Sequence, residues 1–161
     1  MKKECWLFLS KLIGASLILG WIWFAWWQEV YPDMLRPVAV PFFRLLGVKR
    51  WFLELLMHHY TSLIPYLALV IATPGHIKNY GRGLVAFFGG SGVIILGHLL
   101  MSAVVFFIVD AYGLGKTAYR LTVPVYLIND SFPLVLWLLF YHEILIKLFP
   151  LLRFSDSQSA R

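Results

Sequence analysis

From Gly83 to Val109 the chain runs for 27 residues, GLVAFFGGSGVIILGHLLMSAVVFFIV, without an Asp, Glu, Lys or Arg. At about 1.5 Å per residue such a run reaches about 40 Å as a helix, more than the roughly 30 Å of hydrocarbon in a bilayer. It predicts a tilted transmembrane helix at the centre of a small bundle. Its polar side chains, Ser91, His98 and Ser102, are 7 and then 4 residues apart. On a wheel of 3.6 residues per turn all three fall within about 40° of one another, so one face is polar and supplies candidate interhelical contacts. Ala86, Gly90 and Gly97 lie about a third of a turn away and form a candidate packing face, where small residues let a neighbouring backbone approach.

Two compositional facts bound the rest. Apolar residues are 60% of the 161 and the mean hydropathy is +0.76, against about 45–50% apolar residues in soluble chains. The expected fold is an all-α membrane protein, a bundle of about four transmembrane helices with an amphipathic interfacial segment. The expected domain is a single polytopic unit over 1–154, with a disordered cytoplasmic tail at 155–161. The net charge of +6 does not point to nucleic acid, because the basic residues are scattered between apolar segments as positive helix flanks. Cys5 is the only cysteine, which excludes an internal disulfide and a multi-cysteine metal site.

The first span is read over about 6–27. Its basic start and apolar core are those of a signal peptide, but bulky Trp21, Trp23, Trp26 and Trp27 stand where small cleavage-site residues belong, so it is expected to stay uncleaved. In 31–50, Pro32, Pro37 and Pro41 are expected to break any long helix, leaving a short amphipathic segment in the outer interface around Phe42, Phe43, Leu45 and Leu46. A greasy loop packed on the bundle is the equal alternative. The second span, 51–73, has an uncertain start, because Leu63 to Ala72 is too short to cross alone; extended back, it carries His58 and His59. The conformation of 110–130 stays open, since Gly113, Gly115 and Pro124 argue against a span while alternating apolar residues permit a strand. The last span is placed at 131–149, with Asn129, Asp130 or Ser131 as cap and Pro133 in its first turn.

Four spans with cytoplasmic termini put eight Lys and Arg against three acids inside, and six against five outside. This agrees with the positive-inside rule.

From LIPYLALVIATP at 63–74, through a basic turn ending at Arg82 and the long span, to FPLVLWLLF at 132–140, the chain resembles the small membrane proteins associated with exosortase H. The resemblance implies an accessory role in sorting or anchoring surface proteins that carry a C-terminal membrane signal. The associated transpeptidases use a Cys, an Arg and a His near the outer face. Cys5 is expected on the cytoplasmic side, so no catalytic role is carried over.

No catalytic triad, zinc motif, phosphate loop or carboxylate pair stands out. His98 and His142 are expected at matched depth, about 16 Å below the outer surface. A haem or metal site between them is the sharper reading; interhelical hydrogen bonds, with Ser131 beside His142, are the plainer one and are preferred. Glu143 and Lys147, at i and i+4, form a candidate ion pair. The expectation is therefore a non-enzymatic protein of the bacterial inner membrane, with no cofactor, whose partners are the lipid bilayer and another integral membrane protein. The alternative is a small haem- or metal-binding subunit of a respiratory or photosynthetic complex.

Overall fold

The computed structural model describes residues 2–48, 60–74 and 80–148. They are helical almost throughout, with no strand among them. Helix α1 (Lys2–Ile22) passes through a π turn at Trp23–Trp27 into α2 (Gln28–Leu45). A 3₁₀ turn at 60–62 leads into α3 (Leu63–Ala72). Helix α4 (Tyr80–Leu84) continues through a second π turn, Val85–Gly89, into α5 (Gly90–Tyr112), and α6 (Lys116–Leu148) follows.

Three stretches, Cys5–Leu45, Gly81–Tyr112 and Lys116–Glu143, are long and apolar enough to cross a membrane, at 41, 32 and 28 residues. The protein is a multi-pass, all-α membrane protein. Helix α3 lies against α1 and α6, and α6 folds back along α5. One core cluster gathers α2, Tyr60 and the second half of α5; the other gathers Phe8, α3, the start of α5 and the end of α6.

Two expectations are corrected. The chain does not break at Pro32, Pro37 and Pro41; α2 runs through all three prolines as the continuation of α1. Tyr31, Leu35, Ala39 and Phe43 recur every four residues on its inner face, all buried with Leu99, Met101, Ala103 and Val105 of α5. That packed stripe outweighs the hydrogen bond each proline removes, and Pro37 and Pro41 lie on the exposed side.

The last helix begins at Lys116 rather than Ser131 and passes through Pro124 and Pro133, so Asn129, Asp130 and Ser131 cap nothing and the alternating stretch is no strand. What ends α5 is Gly113, at φ 69°, whose N–H donates to the Val109 carbonyl at 2.8 Å. A residue with a Cβ adopts that conformation only with strain. Helix α6 departs from helical geometry at Tyr141 (φ −129°, ψ 19°) and at neither proline. The start of the second span and the 155–161 tail lie outside the described residues.

Candidate functional site

The polar face of α5 closes into a cluster. His98 is fully buried. Its Nδ1 lies 2.7 Å from the Tyr31 hydroxyl of α2, and its Nε2 lies 2.6 Å from Ser62 Oγ at the entry to α3. A neutral imidazole has one N–H and one acceptor nitrogen. One of the two hydroxyls therefore accepts from the ring while the other donates to it, and both nitrogens are occupied in either tautomer.

One turn further along α5, Ser102 Oγ donates to the His98 carbonyl at 2.7 Å. Its only proton is then committed, so the Tyr60 hydroxyl, 2.7 Å away, donates to it. Rings enclose the imidazole: Tyr31 stands edge-on at 5.7 Å and Tyr60 is tilted at 5.0 Å. Trp23 packs on Tyr31 at 5.2 Å. The cluster thus ties α2, the 60–62 turn and α5 together with hydrogen bonds made in a water-poor interior, where each polar group needs a partner.

Among the candidate polar residues, His98 and Ser102 belong to this cluster. Ser91 is half-buried and bonds back to the Phe87 carbonyl of its own helix at 2.5 Å. Ser131 and His142 are exposed on α6, and His98 meets Tyr31 and Ser62 instead of His142. His58 and His59 lie outside the described residues. No group of three metal-ligating side chains occurs among the described residues.

The small face receives side chains rather than a neighbouring backbone. At Gly90 an added Cβ would collide with the Tyr66 ring, whose hydroxyl donates to the Ala86 carbonyl at 2.5 Å. The π turn and Gly90 together make room for that tyrosine. Gly97 is looser, with only the Phe132 ring 4.0 Å from where its Cβ would lie.

Glu143 accepts from Arg82 Nη1 at 3.2 Å, and Arg82 Nε also donates to the Phe140 carbonyl at 3.1 Å, beside the bend at Tyr141. The side chain of Lys147 lies outside what the structure describes. On the other side of α6, Trp137 Nε1 donates to Thr73 Oγ1 at 2.8 Å and fastens α6 to the end of α3.

Tyr31, Tyr60, Ser62, Tyr66 and Arg82 were not singled out for these roles by sequence reasoning. The four-residue rhythm from Tyr31 to Phe43 was the available signal for the first, masked by the prolines within it. Nothing in the sequence marks Tyr60 or Ser62 as partners of residues about forty positions away. Comparison of the chain with family models, curated proteins and solved structures finds no match.

Proposed function

We propose that the protein is a non-catalytic accessory protein of the bacterial inner membrane that binds another integral membrane protein, in an exosortase-type system for sorting or anchoring surface proteins. The observation that supports a non-catalytic role is the occupancy of His98: both ring nitrogens are hydrogen-bonded to side chains of neighbouring segments. A histidine so held fixes helices and has no lone pair to offer a substrate, metal or haem. Among the described residues, an outward apolar surface is open to a partner, including Leu96, Leu100, Val104 and Phe107 along α5. The sorting role rests on the pattern resemblance over 63–140. Both termini are assigned to the cytoplasm on the charge asymmetry.

The test is deletion of the gene followed by measurement of surface proteins that carry a C-terminal membrane signal. The expected result is their retention in the membrane with the signal uncleaved, restored by the parent gene, together with crosslinking of the protein to the transpeptidase in intact membranes. Normal sorting and no crosslink would overturn the proposal. Loss of a respiratory activity in the same strain would move the protein to the other class.

A further inference from the structure

Between Arg120 and Glu143 the single charged residue is Asp130. It lies ten residues after the first and thirteen before the second, about 15 and 20 Å along a helix that rises about 1.5 Å per residue. The packing of α6 on α5 gives the same depth independently. Phe132 faces Gly97, its ring 4.0 Å from where a Cβ would stand there. Gly97 is near the middle of the uncharged run, about 21 Å from Gly83 and about 18 Å from Val109 along the helix. Because α6 folds back along α5, Asp130 is about level with His98 and Leu99, in the hydrocarbon and roughly half way across it.

Asp130 nevertheless turns outward. Its side chain is exposed and takes part in no ion pair among the described residues. Its one hydrogen bond there is long, 3.4 Å from Nδ2 of the adjacent Asn129. Leu127, Ser131 and Leu134 stand beside it on the same exposed face, three or four residues apart. Ionisable side chains at this depth are costly, and almost always face the interior of a bundle or meet an opposite charge. Among the described residues Asp130 has neither.

We propose that the outward face of α6 around Asp130 docks a transmembrane helix of another protein that carries an Arg or Lys at mid-depth, the basic group pairing with the Asp130 carboxylate. Charge selects this occupant. A second copy of the chain would bring like carboxylates together at one depth, where a low dielectric strengthens their repulsion, and lipid tails offer no donor. A hard cation needs several oxygen ligands, and no group of three metal-ligating side chains occurs among the described residues. A basic side chain supplies the missing charge, while Leu127 and Leu134 on either side supply close packing along the helix. The site rests on the reading that the protein binds another integral membrane protein, and not on the sorting system.

The experiment is energy transfer in phospholipid vesicles between the full chain, labelled with a donor at its single cysteine, Cys5, and acceptor-labelled leucine-alanine transmembrane peptides that differ only in the central residue, Arg or Leu. Cys5 is near enough to report docking, because Phe8 on the next turn of α1 stacks on Trp137 of α6. The Arg peptide should associate with the parent about tenfold more tightly than the Leu peptide. Asp130→Leu should abolish that preference. Asp130→Glu should keep it, and so should Asp33→Asn, which removes an exposed carboxylate from α2 instead. Equal association of the two peptides with the parent overturns the proposal without recourse to any variant. So does an Arg preference that survives in Asp130→Leu, or one that Asp33→Asn loses equally. Donor- and acceptor-labelled copies of the parent that pair through Asp130, and that the Arg peptide does not part, would make a second copy the occupant and overturn it too. A missing peptide preference beside a confirmed sorting defect and crosslink overturns this site alone. Normal sorting in the deletion strain beside a preserved preference overturns the sorting system and leaves this site standing.

Discussion

Each hydrogen bond of the His98 ring joins residues far apart in sequence, and each has a partner that a single atom's removal leaves unsatisfied. Tyr31→Phe deletes only the hydroxyl that meets Nδ1. Ser62→Ala deletes only the one that meets Nε2. Each should cost about 1–2 kcal/mol, the range for an interhelical bond in a membrane plus a stranded buried polar group. The check is the thermal midpoint in detergent, with exposed His142→Ala as the comparison, expected to stay within about 0.5 kcal/mol of the parent. Equal midpoints for all three variants would show that the cluster does not hold the fold together. The same occupancy bears on haem. Protein extracted from cells supplied with iron and haem precursor should show no stoichiometric Soret band, and a band lost in both His98→Ala and His142→Ala would reverse that expectation.

At the level of the helices, the glycines of the central rod differ by what stands opposite them. Gly90 faces the Tyr66 ring, while a Cβ at Gly92 would meet nothing within 4 Å. Gly90→Ala should therefore destabilise by about 1–3 kcal/mol through overpacking. Gly92→Ala should stabilise by up to about 1 kcal/mol, the gain in helix propensity. The midpoints of the two variants test this, and combining Gly90→Ala with Tyr66→Leu should recover part of the loss, since the shorter side chain vacates the space. The uncharged run that forms the second π turn and most of α5 was plain in the sequence because its length and lack of charge leave one physical solution. The polar alignment of His98 and Ser102 was plain for the same reason. Gly113 and Gly115 stand at the turn between α5 and α6, whereas the prolines of α2 and α6, which argue against helix in the sequence, lie inside helices. Proline removes one backbone bond from a helix that tertiary packing can still hold, whereas a glycine at positive φ turns the chain out of it.

Taken whole, the bundle has rods longer than a bilayer needs. The stretch Cys5–Leu45 has 41 residues, which at about 1.5 Å each is about twice the roughly 30 Å of hydrocarbon. Its charged end, with the Asp33–Arg36 pair at 3.2 Å, belongs on the outer side under the proposed topology. Reporter fusions after residues 33 and 116 should be active only outside, and those after 79 and 161 only in the cytoplasm; a periplasm-only reporter active at 79 or 161 would overturn that arrangement. The candidate site was half legible, since the α5 residues of the cluster could be read by helical spacing but their partners come from other segments, and only the folded chain brings them together. That separation also has a meaning in time. Tyr31 precedes its partner His98 by 67 residues, which at about 5–20 residues per second is roughly 3 to 13 seconds of synthesis. Through that interval the newly made first rod carries an unanswered hydroxyl, and its final seat is set only when the central helix arrives.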